Sequence, residues 1–158
     1  MALLNICDAI LTSNVPISYI EVRVFTHATE DMDKVLSAVR NILPITLADK
    51  VAFKKTNLTG YYGNPIILFE TRIKEKDLVK TIFEKLASSL SSVDKESLNS
   101  EINQHLDKGN LYIRLDKQSA YLNELKLCST DPIHFRIHFK TSNSEEIMNV
   151  CKKSGMIP

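Results

Sequence analysis

The chain has 158 residues, of which 44% are hydrophobic and 25% charged, with a formal net charge of +1. That length suits one domain with a real core, and the composition is ordinary for a globular protein. A charge so near zero excludes a molecule that gathers nucleic acid by its overall field, so any basic function must come from local clustering.

The first segment, MALLNICDAILTSN, has no positive n-region and too few apolar residues to span a bilayer. Leu3, Leu4, Cys7, Ile10 and Leu11 recur at helical spacing. Residues 1–14 therefore read as a short amphipathic helix, packed on the domain or on a partner, ahead of a single domain over 15–158. No membrane association is expected, and a cytoplasmic location is. The three cysteines, Cys7, Cys128 and Cys151, are widely separated and form no CxxC pair, which argues for free thiols over a disulfide framework or a zinc site.

After Pro16 the chain alternates, with Ile20, Val22 and Val24 on one face and Tyr19, Glu21, Arg23 and Phe25 on the other, as in a half-buried strand. A helical stripe follows in Met32, Val35, Leu36, Val39 and Leu43. Thr29 is placed to cap it, Glu30 and Asp31 suit its positive end, and Pro44 stops it. DKVAFKKTN and NPIILFETRI read as two strands joined through LTGYYG. Leu78, Val79, Ile82, Phe83, Leu86 and Leu90 mark a strong helix, and Leu98, Ile102 and Leu106 a weaker one running to Gly109. NLYIRLDK is a strand with Tyr112, Arg114 and Asp116 outward, and ELKLCS reads as another short one. In DPIHFRIHFK, Ile133, Phe135, Ile137 and Phe139 face inward, while His134, Arg136, His138 and Lys140 face outward. Ser142 to Glu145 forms an S-x-x-E capping box for a last helix that Gly155 closes. The expected fold is α+β, a two-layer sandwich of an antiparallel sheet with helices on one face.

On a strand, His134 and His138 stand roughly 13 Å apart, whereas two ligands of one ion each lie about 2 Å from it. A metal is thereby set aside, and no cofactor is implied. Basic side chains on alternate positions, with Tyr19, Phe25 and Tyr112 among them, suit RNA: aromatic rings stack bases while Arg and Lys neutralise phosphate. The alternative is a solvated face whose charges are balanced across strands by Glu21 and Glu70. In TGYYGNPI, the backbone freedom of Gly60 and Gly63 and the rings of Tyr61 and Tyr62 suit either ligand contact or a tight turn whose tyrosines cap the core. His27 stands near Glu30 and Asp31, which suits a poised base or a His bonded to the helix start. No G-x-S-x-G, HExxH or paired-carboxylate signature appears, so no enzyme is expected.

VFTHATED, TGYYGNPI and YIRLDKQSAYLNELKL, in that order and spacing, resemble an archaeal family of small RNA-binding proteins sometimes described as predicted exosome subunits. The family pattern has a His-Ala-Thr-Glu-Asp corner, a Gly-His-His-Gly-Asn-Pro-Ile loop and an Arg-x-Asp-Lys-Gln strand end. The resemblance runs over about residues 17–140. It implies a fold similar to ribosomal protein L5, and RNA binding. The matching positions are His27, Thr29, Glu30 and Asp31; Gly60, Gly63, Asn64 and Pro65; and Arg114, Asp116, Lys117 and Gln118. The chain departs from the pattern at Tyr61 and Tyr62, which replace two histidines, and at Asn123, which stands where a glycine is expected. Loss of the loop histidines weakens a proton-transfer or metal role there and leaves stacking open.

The combined reading is a non-catalytic RNA-binding domain without sequence choice in its backbone contacts. Arg114, Lys117, His134, Arg136, His138 and Lys140 would meet the backbone, and Tyr61 and Tyr62 the bases. Its expected partners are RNA, a second copy of the chain, and an RNA-processing complex or the ribosome. The other reading is a protein-interaction or dimerisation module using the N-terminal helix with Ile66 and Leu68.

Overall fold

Alternation along the chain becomes a six-stranded antiparallel sheet in a computed structural model that describes residues 16–44 and 51–158. The expected helix over 1–14, with Cys7, lies outside the described residues. The strands are β1 (Ile17–His27), β2 (Lys54–Thr59), β3 (Pro65–Ile73), β4 (Leu106–Asp107), β5 (Asn110–Leu115) and β6 (Ile133–Phe139), in the order β2-β3-β1-β6-β5-β4. The long β1 and the β6 strand of the HFRIHF stretch thus pair at the centre of the sheet. The helices are α1 (Met32–Ile42), α2 (Lys76–Ser89), α3 (Ser92–Ser100), α4 (Ile102–His105), α5 (Lys117–Tyr121) and α6 (Ser144–Ser154).

One core joins the inward side chains of the sheet to the helices. Ile20, Val22 and Val24 of β1, Phe135 and Ile137 of β6, and Leu111, Ile113 and Leu115 of β5 are fully buried with Val39, Ile42, Ile82, Leu86 and Leu98. Phe83 of α2 meets Phe139 edge-on, with centroids 6.3 Å apart, a favoured aromatic geometry. The alternate residues of β1, β5 and β6 are half-buried or exposed, so the sheet has one covered and one open face. This is the two-layer α+β arrangement that the alternation predicts. Among the described residues, no helix is long and apolar enough to cross a membrane.

Local chemistry moves several predicted boundaries. Asp31, not Thr29, caps α1: its Oδ1 accepts from the backbone N–H groups of Asp33 (2.9 Å) and Lys34 (3.3 Å). Asn143 likewise replaces the Ser142–Glu145 capping box on α6, accepting from Glu145 N at 2.9 Å and Glu146 N at 3.3 Å. In both cases a short Asx side chain nearer the helix, by two residues at α1 and one at α6, reaches the orphan donors first. β2 begins at Lys54, later than predicted, since 51–53 are not paired.

The weaker helix does not reach Gly109. It ends at His105, and Leu106 enters β4, because Lys108 (φ 49°) and Gly109 (φ 84°) form a two-residue hairpin turn with both angles positive. A helix cannot run through that turn. ELKLCS makes no strand either; it contributes a single bridge, Leu127 to Leu115. The Leu127 amide is taken instead by Asp94 Oδ2 at 3.1 Å.

Candidate nucleic-acid interface

Antiparallel pairing brings three distant stretches of sequence to one end of the sheet. His27 ends β1 beside Ile66, the β2–β3 hairpin turns just beyond that pair, and β5 ends at Leu115 beside Ile133, where β6 begins. The VFTHATED corner, the TGYYGNPI loop and the RLDKQ strand end therefore share this end.

The corner locks itself. The backbone N–H of Glu30 donates to His27 O at 2.9 Å, and the Glu30 carboxylate accepts from the His27 backbone N–H at 3.0 Å. Lys117, the first residue of α5, reaches back to the same place. Its ammonium donates to the Phe25 carbonyl at 2.6 Å, to Glu30 at 3.1 Å and to Asp131 at 2.9 Å, and its side chain is only 12% exposed. Asp131, in the left-handed region at φ 45°, also holds His27 Nε2 at 3.1 Å. An Asp tolerates that conformation better than most residues. The sequence reading set Lys117 against the RNA backbone; here its ammonium is turned into the protein. All three of its donors are committed within the protein.

His27, Glu30 and Asp131 each bring a potential metal-ligand atom to within 4.8 Å of the others. The Lys117 ammonium, bonded to both carboxylates, already supplies the positive charge that such a cluster needs. Asp116, next to Lys117, caps α5 by accepting from the Ser119 amide (2.9 Å) and hydroxyl (2.8 Å). Burial pushes its carboxyl up, but the Ser119 bonds, with help from Cys128 and Lys126, outweigh this and hold it below its ordinary value. Asn41 of α1 ties down the far end of α5 through the carbonyls of Ala120 and Tyr121. Gln118 is exposed and, with Lys34, lines a shallow groove of about 250 Å³ between α1 and α5. Thr29 is exposed in the corner turn. Asn123 adopts φ 64°, the left-handed conformation for which a glycine is the default.

The open face divides into two halves. In the half away from the motifs, charges and rings pair with one another, leaving the buried Arg136 Nε without a partner. Glu21 lies 2.8 Å from Arg72 and 3.6 Å from Arg136, and Arg136 also donates to the Tyr19 hydroxyl at 2.8 Å. His138 stacks on Tyr19 with centroids 4.8 Å apart and bonds Asn110 at 2.8 Å. Arg72 lies 4.3 Å from the centre of the Tyr19 ring. This half is the balanced, solvated face that the alternative reading described. Lys140 lies beyond it, exposed, past the end of β6.

The half nearer the motifs differs. Arg23, His134 and Arg114 stand abreast on β1, β6 and β5, each directly opposite the next. Arg23 meets Glu70 only at 3.5 Å, as an exposed pair, an arrangement worth little. Arg114 lies 5.8 Å from the centre of the Tyr112 ring and forms no ion pair among the described residues. Beside this row is a groove of about 370 Å³, lined by Glu21, Arg23, Phe25, Tyr112, His134 and Arg136. Burial, and then the charges of Arg114 and Arg23, lower the His134 pKa against a weaker pull from Asp131.

Tyr61 and Tyr62 do not cap the core. They are 95% and 85% exposed at the hairpin tip, edge to face with centroids 5.0 Å apart. The turn beneath them is closed by Gly60 N–H to Asn64 O (2.7 Å) and Gly63 N–H to Gly60 O (2.9 Å), with Gly63 at φ 81°. Pro65 then opens β3, where a missing N–H is tolerated. Leu68, predicted to face a partner, is buried at 6% exposure.

Sequence reasoning missed Asp131, because nothing in the order of residues links it to Lys117 or His27. It also gave Arg23 too little weight, since only strand order sets Arg23 beside His134.

Comparison with known proteins matches residues 19–139 to a family described as RNA binding. The chain is 40% identical over 124 residues to "RNA-binding protein PAB1135" of Pyrococcus abyssi, covering 77% of this chain and 80% of that protein. It is 33% identical over 135 residues to the uncharacterized protein MJ0213 of Methanocaldococcus jannaschii, covering 80% and 89% respectively. The crystal structure of protein SSO0741 from Sulfolobus solfataricus superposes with a TM-score of 0.69 at 27% identity, covering 86% of this chain and 96% of that one. The three motifs that meet at one end of the sheet all fall within the matched span, and the chain belongs to this archaeal RNA-binding family.

Proposed function

We propose that the protein binds unpaired RNA without catalysing a reaction, using the motif-side half of its open sheet face for the backbone and the tyrosine hairpin for bases. The observation that carries this reading is the row of Arg23, His134 and Arg114 beside a groove floored by sheet and walled by Phe25 and Tyr112. Family membership supports RNA as the ligand class. Exposed rings at 95% and 85% offer a stacking surface that a base-paired duplex cannot use. Arg136 contributes a wall, while His138 and Lys140 stand outside the groove.

The test is fluorescence anisotropy with a single-stranded RNA and a duplex of equal length, at low and near-physiological salt. Arg114→Ala should weaken binding and reduce the log–log salt slope by about 0.7, the share of one phosphate on a single strand. Arg114 is the better choice over Arg136, since Arg136→Glu would also set a carboxylate against Glu21. Equal affinity of wild type and Arg114→Ala for every RNA would remove this face from consideration.

The finer assignments rest on the same reading: a cytoplasmic accessory of RNA processing or of the ribosome, exosome-associated, with a fold akin to ribosomal protein L5. Exposed Leu58, Tyr61 and Tyr62 at the hairpin favour a second reading, a protein contact or homodimer at that corner. Light scattering of Tyr61→Ala/Tyr62→Ala against wild type separates the two: a lower mass in the variant supports the protein contact.

A further inference from the structure

We infer that Arg23, His134 and Arg114 form a single phosphate seat, and that filling it draws a proton onto His134, so that RNA binding is coupled to proton uptake. This rests on the RNA-binding reading above and specifies how that site is regulated.

The three side chains project from adjacent strands at one register level, Arg23↔His134 across β1–β6 and His134↔Arg114 across β6–β5. Two strand spacings, about 10 Å, separate the outer pair. An oxyanion between two guanidinium groups therefore lies over the imidazole. With the seat empty, the groups around His134 act mostly against its protonation. Arg23 faces it from β1 and Arg114 from β5, Arg136 lies two residues along its own strand, and His134 is partly buried. Of the carboxylates nearby, Glu70 from β3 faces Arg23 only at 3.5 Å, Glu21 pairs with Arg72, and Asp131, bonded to Lys117 and His27, gives His134 only the weaker opposing pull. These forces keep the imidazole neutral where an ordinary one begins to charge.

A phosphate reverses this. It offsets both arginines and accepts a charge-assisted hydrogen bond from the imidazolium. The bound-state pKa then lies above the free-state one, so RNA binds more tightly as pH falls through the bound value and levels off below the free value. His138 cannot replace it, because its ring is stacked on Tyr19 and bonded to Asn110.

The experiment uses fluorescein-labelled oligouridine, since uridine has no group titrating near neutrality, and the full chain at constant ionic strength. Affinity measured between about pH 5.5 and 8 should fall at least about fivefold toward the alkaline end. His134→Gln should bind with a flat profile, and His138→Gln should keep the wild-type slope. As a second readout, the His134 ring proton followed by NMR should titrate at higher pH with oligouridine bound than without. A wild-type slope retained in His134→Gln, or an unmoved His134 titration in the presence of bound RNA, overturns the coupling while leaving RNA binding intact. No oligouridine binding at any pH overturns both.

Discussion

Lys117 and Arg114 stand three positions apart in the RLDKQ stretch, and the structure gives them opposite duties. The Lys117 ammonium is enclosed by Glu30, Asp131 and the Phe25 carbonyl, whereas Arg114 lies opposite His134 on the open face without an ion pair among the described residues. Removing a largely enclosed charge leaves its partners uncompensated. Lys117→Met should therefore lower unfolding stability by about 2 kcal/mol, discounted for the partial exposure of both carboxylates. Denaturant midpoints measure that loss, and RNA affinity of the folded variant should stay unchanged. If affinity fell as far as in Arg114→Ala, Lys117 would belong to the interface after all. Asp116 gives a pH prediction. Its folded-state pKa is depressed, so its stabilisation is full above the unfolded carboxylate range and is lost as pH falls through the folded value. Asp116→Ala should cost about 1 kcal/mol near neutral pH, as for a lost helix cap. The difference from wild type should shrink in unfolding curves taken at progressively more acid pH. Sequence alone pointed to most of these residues as a family pattern. It did not separate structural from exposed members, because two cations three residues apart look alike until their neighbours are known.

At the scale of elements, the β2–β3 hairpin and the α1–α2 contact make contrasting predictions. Tyr61 and Tyr62 touch little but each other and water. Tyr61→Ala/Tyr62→Ala should alter stability by less than about 0.5 kcal/mol. It should weaken single-stranded RNA by about 1–3 kcal/mol for each base that stacks, and duplex RNA far less. Equal losses on both RNAs would argue against stacking. Lys85 of α2 instead closes the end of α1, donating to Asn41 O at 2.8 Å and Leu43 O at 2.9 Å, and burial lowers its pKa. Lys85→Met should cost about 1–2 kcal/mol in thermal or denaturant unfolding, since it strands carbonyls that the helix end cannot satisfy itself. The strong periodic elements were legible in advance: β1, β3, β5, β6 and α2 lie where alternation or a helical stripe set them. The failures were at ends and turns. Caps shifted by one or two residues where a neighbouring Asx competed, and a weak apolar stripe could not reveal that Lys108 and Gly109 would both take positive φ.

For the whole molecule, a net charge of +1 leaves RNA binding to local clusters of cations rather than to the overall field. Two or three phosphate contacts at the motif end would give a log–log salt slope of about −1.4 to −2.1 for single strands. A much steeper slope, measured by anisotropy over a salt series, would mean that basic groups outside the groove take part. The open face shows why the issue was undecidable from alternation: half of it is self-neutralised around Tyr19 and Glu21, and half is not. The sequence by itself determined which side chains face the core and which face outward, because a strand's period of two leaves no other choice once the apolar set must be buried. It also determined the α+β class and carried the three motifs of the family. Strand order, cross-strand register and the meeting of Asp131 with Lys117 and His27 were decided only by tertiary structure. They depend on contacts between residues far apart in the chain, on which local periodicity places no constraint.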